Sequence, residues 1–159
     1  MQWTAAHYCD FDGVECDSSS NVVKISMNNN NLHGNLPGSD DDWRALKYLQ
    51  VLKLTNSFVM GNVPSALFSS TILPELVTID LVHNRLSGAL MAPDSASKIR
   101  YISVDGNTLS SADWTGWKTF VDGRTLLTCD IGVNCFGQVI NRGDTRLVCL
   151  VCENHIVLV

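Results

Sequence analysis

The sequence lacks any run of 18 apolar residues, so nothing in it reads as a membrane span. Its most apolar stretch, Leu147 to Val159, is too short for one and is interrupted by Glu153, Asn154 and His155. Basic side chains are scarce, 11 against 16 acidic ones, for a formal charge of -5. That disfavours nucleic acid as a partner, since its phosphates call for a basic face. Glutamate is almost missing: 3 of the 16 acids are Glu and 13 are Asp, alongside 13 Asn and 15 Ser. Short polar side chains compete for backbone hydrogen bonds and favour turns and caps, which argues against a helix bundle. There is no H-E-x-x-H, no G-x-S-x-G, no P-loop and no G-x-G-x-x-G. His7, His33, His83 and His155 are scattered. No catalytic constellation is therefore expected, and no cofactor. An N-x-S/T glycosylation acceptor is also missing, and Met1 to Tyr8 lacks the basic flank and apolar core of a secretory leader. Either such a leader belongs to a longer precursor or the protein is not exported.

Cysteine is missing from the whole stretch between Cys16 and Cys129. The six that exist, Cys9, Cys16, Cys129, Cys135, Cys149 and Cys152, gather near the two ends. An even count so placed fits terminal disulfides formed in an oxidising compartment. Free buried thiols in a reducing one are the alternative. Cys149-Leu-Val-Cys152 also has zinc-ligand spacing, but Cys129 and Cys135 lack the second close pair that a four-thiolate site favours.

What is present is a repeat. Aligned on Asn30, Ser57, Asn84 and Asn107, four similar segments follow one another, at two equal intervals and then a shorter third. Each carries an apolar pair two positions apart: Ile25/Met27, Leu52/Leu54, Ile79/Leu81 and Ile102/Val104. That spacing puts both members on one face of a short strand. A lone strand cannot bury such a face, so neighbouring repeats are expected to stack around a shared core. The Asn stands where the chain turns out of the strand, where its amide can pair with backbone groups left over at the bend. Ser57 is shorter, and the second turn is expected to be the looser one.

The segments resemble leucine-rich repeats, whose core is L-x-x-L-x-L-x-x-N-x-L. The continuations Gly34-x-Leu36-Pro37 and Gly61-x-Val63-Pro64 look like the plant-type extension x-G-x-I-P. Cys9-Asp-Phe-Asp-Gly-Val-Glu-Cys16 is similar to the C-x-W-x-G-V-x-C motif of the family's N-terminal cap, with Phe11 for the tryptophan. Such repeats occur in plant receptor-kinase ectodomains, polygalacturonase-inhibiting proteins and trypanosomatid surface antigens. The resemblance implies an α/β fold, a right-handed leucine-rich-repeat solenoid with short parallel strands on the concave side, turns and short helical segments on the convex side, and caps at both ends. It also implies a Cys9–Cys16 disulfide. Ser57, Met91, Ser111 and the short last interval mark a divergent member.

The expected division is an N-terminal cap over residues 1–21, four repeats over 22–111, and a C-terminal cap or truncated flank over 112–159. Trp3, Tyr8, Phe11 and Val14 are expected to cover the first coil. At the back, Trp114, Trp117, Phe120 and Val121 supply bulk, followed by Leu126, Leu127 and the last four cysteines, read as two disulfides. Asp40-Asp41-Asp42 reads as a solvated turn whose last Asp caps a helical segment from Trp43 to Leu49. Arg142-Gly143-Asp144 spells an adhesion-type tripeptide of a length that arises by chance.

A binding function would fall on outward residues of the strands, which alternate with the core pair and form columns. One column is Lys24, Val51, Thr78 and Tyr101; the next is Ser26, Lys53, Asp80 and Ser103; the third is Asn28, Thr55, Val82 and Asp105. Asn29, Asn56 and His83 complete a mostly polar, weakly charged face suited to a protein, peptide or glycan ligand. The expected function is non-catalytic recognition by part of a secreted or cell-surface protein. An extracellular enzyme inhibitor and a structural or adhesive surface antigen are the alternatives.

Overall fold

The computed structural model describes residues 7–122, 128–130 and 134, with residues 128–130 as backbone. Two sheets run side by side through it. The long one contains, in spatial order, β1 (Val14–Cys16), β2 (Val22–Ser26), β3 (Val51–Lys53), β5 (Thr78–Asp80), β7 (Tyr101–Ser103) and β9 (Thr128–Asp130). The short one contains β4 (Met60–Asn62), β6 (Arg85–Leu90) and β8 (Thr108–Ala112). Apart from the antiparallel pair β1–β2, every pairing between these strands is parallel. Each coil of chain thus adds one strand to the long sheet, and the coils that begin at Val51, Thr78 and Tyr101 each add one to the short sheet. This is the α/β repeat solenoid that the sequence leads one to expect.

Register follows the alignment. Ile25, Leu52, Ile79, Ile102 and Cys129 face one another along the long sheet. Leu49, Leu52, Leu76, Ile79, Leu81, Leu86, Leu90, Ile99, Ile102, Val104 and Leu109 are buried, together with Leu54. The first coil is different. Ile25 is only half-buried, and Leu32, the apolar residue after the turn, is 40% exposed. The short interval from Asn84 to Asn107 leaves the long sheet in step, because the residues are missing from the connection between β6 and β7; the short sheet separately carries a register shift at Gly88/Ala89.

Buried side-chain amides tie the coils together. Asn84 Nδ2 donates to the carbonyls of Leu54, Leu81 and Val82, and its Oδ1 accepts from the N–H groups of Ser57 and Val59. Asn107 repeats this one coil on, with donations to Leu81, Val104 and Asp105 and acceptance from Leu86 N–H. In each case the side chain bridges its own turn and the coil before it. Asn30 makes no such bridge among the described residues. The strand before it, β1, runs antiparallel and offers no matching turn, so Asn30 contributes its backbone N–H, to Ser57 Oγ at 3.3 Å.

Ser57 corrects the expectation of a loose second turn, being wholly buried. Its hydroxyl lies 2.7 Å from the Met27 carbonyl and 3.1 Å from that of Thr55 while accepting from Asn30. The N–H that a longer amide would have taken, that of Leu32, goes to the Ser57 carbonyl at 3.1 Å. Backbone compensates for the shorter side chain.

The ladder also runs past residue 111, where the sequence reading ends the repeats. Asn134 is fully buried, its Nδ2 donates to the Val104 carbonyl and its Oδ1 accepts from Leu109 N–H. It stands as far after Asn107 as Ser57 does after Asn30, a full repeat interval. Between them, α2 (Trp114–Asp122) buries Trp117, Phe120 and Val121, with Trp117 edge-on to both Phe68 and Phe120 at 6.1 Å. Trp114 packs partly buried against the same core.

At the front, Cys9 and Cys16 are disulfide-bonded, as the resemblance implies. Phe11 and Val14 are half-buried, but Tyr8 is 51% exposed, its hydroxyl bonded to the Ser20 carbonyl, so it does not cover the first coil. Asp17 accepts from Asn21 Nδ2 and from the N–H groups of Asn21 and Ser19, which closes the turn between β1 and β2. These bonds, led by the Asn21 side chain, hold its carboxyl below the usual range. A second correction concerns the acidic run. The helix α1 spans Asp40–Arg44, and its N-cap is Ser39, whose Oγ accepts from Asp41 N–H. Ser39 immediately precedes the run, which places all three Asp in the first turn, where the helix dipole favours negative charge. Trp3, Leu126, Leu127, Cys135, Cys149, Cys152 and Arg142-Gly143-Asp144 lie outside the described residues, as does the side chain of Cys129.

Replacing Asn84 by Ala would strand several buried backbone groups, each costing about 1–3 kcal/mol. Denaturant unfolding should show a loss of at least about 3 kcal/mol for Asn84→Ala and under about 1 kcal/mol for Asn30→Ala. The Cys9–Cys16 loop is short, with a sequence separation of 7. The double variant Cys9→Ala/Cys16→Ala should therefore lose about 2–3 kcal/mol in the same experiment.

Candidate ligand-binding face

The outer face of the long sheet is built by the alternation of short strands. Ile25, Leu52, Ile79 and Ile102 turn toward the core, so the residues on either side turn away from it. Strand register sets Lys24, Val51, Thr78 and Tyr101 side by side, and likewise Ser26, Lys53, Asp80 and Ser103. The third column continues beyond the strands. Asn28 Oδ1 accepts from Thr55 N–H at 3.0 Å, and Thr55 Oγ1 donates to Asp80 Oδ1 at 2.8 Å. Val82 and Asp105 follow, both half-buried.

The charges on this face are not equivalent. Lys24 is tied to Glu15, its register partner on β1, with Nζ 2.6 Å from Oε1. Lys53 faces Asp80 in the register, yet it has no ion-pair partner within 4.0 Å among the described residues. Asp80 is engaged instead by Thr55. Lys53 is thus an unpaired cation in the middle of a polar sheet face. Ser103 departs from expectation: it is 1% exposed, the smallest side chain of its column apart from Ser26 and flanked by strands on both sides. It cannot serve as a contact residue in this conformation.

Beside the columns lies a rim of left-handed residues. Asn29, Asn56 and His83 have φ of 55°, 52° and 52°, and Gly106 follows at 66°. Each is the residue before the ladder position of its coil. Gly adopts this region freely and Asn and His visit it more readily than most residues, for which it carries a steric penalty. Asn56 Nδ2 donates to Asn29 Oδ1 at 3.0 Å. At Gly106 the deciding contact is the His83 imidazole, whose Nδ1 would collide with any Cβ there, while glycine also takes the positive φ without penalty.

One group on this rim escapes a search for motifs. The imidazole of His33 stacks on the Phe58 ring at 4.9 Å and 12°, and the Arg85 guanidinium lies 5.0 Å from the same ring's centroid. Phe58 and Arg85 each come immediately after the ladder residue of their coil. The repeat alignment therefore contains the signal, though an apolar-pattern reading passes over polar and aromatic residues outside the core positions.

Among the described residues no group of three or more His, Cys, Asp or Glu is placed to hold a metal, and no helix is long and apolar enough to cross a membrane. No protein-family model matches the chain. Individual proteins do. The receptor-like protein kinase HAIKU2 of Arabidopsis thaliana is 30% identical over 140 residues, covering 82% of this chain. The leucine-rich-repeat protein slrA of Dictyostelium discoideum is 32% identical over 135 residues and 83% of the chain. The solved leucine-rich-repeat ectodomain of the receptor kinase SOBIR1 from Arabidopsis thaliana superposes with a TM-score of 0.61, covering 80% of this chain and 70% of that one at 21% identity.

This chain is a leucine-rich-repeat protein with plant-type repeats. It spans 13% of the length of HAIKU2 and 9% of slrA, so the likeness concerns repeats and not the rest of those proteins. Within the leucine-rich-repeat frame, the long sheet is the concave face, and its columns, with Ser103 covered, are the residues that face away from the core.

A Gly106→Ala substitution should displace His83 and cost about 1–2 kcal/mol, from the left-handed backbone and the blocked imidazole together. Unfolding measurements give the cost, and the imidazole proton shifts of His83 in NMR spectra report the displacement.

Proposed function

We propose that this leucine-rich-repeat chain is a non-catalytic recognition module that binds a protein partner through the outer face of its long sheet. The observation carrying this reading is Lys53, an unpaired cation among hydrogen-bonding side chains held in register by the strands. An array with spacing fixed by the backbone is pre-organised, and pre-organisation lowers the entropy cost of association. Tyr101, on β7, adds a large amphipathic side chain of a kind that often anchors interfaces. Peptides and glycans are further ligand classes that this polar surface suits.

In this reading the protein works outside the cell or at its surface. The likeness to a receptor-kinase ectodomain and the Cys9–Cys16 disulfide support that setting. Residues 1–21 serve as the N-terminal cap, the repeats begin at residue 22, and the buried Asn134 ladder bonds support a fifth repeat beyond residue 111. The reading assigns catalysis to no residue.

The test is a binding screen of the immobilised chain against secreted proteins, peptides and cell-wall oligosaccharides, followed by variants. Lys53→Glu and Tyr101→Ala should each weaken a captured ligand at least about tenfold, the effect of losing one buried contact of about 1.4 kcal/mol. Lys118→Glu, on α2, should change nothing. A ligand indifferent to both face variants would move binding to another surface.

A further inference from the structure

The stack of His33, Phe58 and Arg85 is costly to build and takes no part in the core. Phe58 and His33 both sit in the left-handed region, at φ 56° and 44°, which His visits more readily than most residues but where a bulky aromatic such as Phe58 is strained. Strained residues of this kind persist where the surroundings over-determine them, and they concentrate at functional positions. Here the strained Phe58 presents its ring to His33 of the preceding coil and to Arg85 of the next, so that side chains from three successive coils meet. Arg85 and His33 are exposed, and Phe58 is half-buried between them. Arg85 has no carboxylate within 4.0 Å among the described residues. Its exposed guanidinium is held against an aromatic ring. A fork so held loses less freedom on pairing and is suited to bidentate contact with a carboxylate.

Beside this stack runs the Asn29–Asn56 pair. The bond between them uses Asn56 Nδ2 and Asn29 Oδ1, which leaves Asn56 Oδ1 and Asn29 Nδ2 as an acceptor and a donor. An acceptor and a donor at neighbouring positions match the alternating N–H and C=O of an extended peptide. A sugar is less well served. The Phe58 ring already has His33 stacked on it and the Arg85 guanidinium against it, so it offers a pyranose ring less open surface than a free aromatic would.

We propose that the rim formed by His33, Phe58 and Arg85, together with Asn29 and Asn56, binds an extended acidic peptide. Arg85 takes a Glu or Asp carboxylate, and the two amides take the adjacent peptide backbone. This deepens the recognition-module reading but places the anion contact on the rim and not on the sheet columns.

The test uses a hexaglutamate peptide titrated at low salt, with binding followed by calorimetry and by amide shifts of the chain. Arg85→Gln should weaken binding at least fivefold, Arg85→Lys should weaken it less, and Phe58→Leu should fall between. Arg85 is exposed, so the glutamine variant keeps the fold, as circular dichroism will show. A loss on Lys53→Gln with Arg85→Gln binding like the wild type would overturn the rim assignment and leave the sheet-face reading intact. Capture of oligogalacturonate in place of hexaglutamate would overturn the peptide class. Failure of the chain to bind hexaglutamate at millimolar concentration would overturn the proposal, while the separate screen with Lys53→Glu would still decide the recognition-module reading.

Discussion

Everything in this molecule depends on how one coil is fastened to the next at the point where the chain leaves its strand. Strands this short have few ladder bonds, and the turn after each leaves buried backbone groups on two coils without partners. Asn84, Asn107 and Asn134 answer this with a single amide that can donate and accept at once. Because each amide reaches back to the preceding coil, it fixes the spacing and the phase of the stack. The leucine and isoleucine core supplies most of the driving force but is indifferent to a slip along the strands. The amides are not, since a slip would leave buried groups unpaired.

That constraint also explains the ends. Where no parallel coil precedes, as at Asn30, the bridging role lapses and the local core loosens, with Leu32 exposed and Ile25 half-covered. The disulfide between Cys9 and Cys16 then restrains the segment that burial alone holds weakly. The outer face inherits its order from the same source. Lys53, Thr55 and Asp80 stay in line because the coils beneath them cannot shift, and the left-handed rim recurs because every coil turns at the same residue.

The fold was legible because its determinants are local and repeated: an apolar pair two apart, then Asn, at a nearly fixed interval. The cap disulfide was legible through the spacing of a family motif. The missed fifth ladder residue shows where such reading stops. Asn134 lies at the proper interval, but Cys129 occupies the register position that Ile102 holds one strand earlier, and a cysteine reads as a disulfide partner before it reads as core. Ser57 was misjudged for a related reason, since the backbone bond from Leu32 that compensates for it leaves no mark in the sequence. The candidate columns followed from alternation alone. Alternation does not reveal that Ser103 is covered, that Lys24 is neutralised across the antiparallel strand, or that His33, from a different offset, reaches Phe58.

The reversed strand β1 has a bearing on solubility. A parallel stack of identical turns is a template: an open end offers unpaired backbone groups at the spacing that another molecule's coil would need. β1 is short, runs the opposite way, and carries a register shift between Glu15 and Cys16. An irregular edge of the wrong polarity gives an incoming parallel strand nothing to continue. Among the described residues β1 is the outermost strand at that end, and so short and irregular an edge is a poor template for an incoming parallel strand.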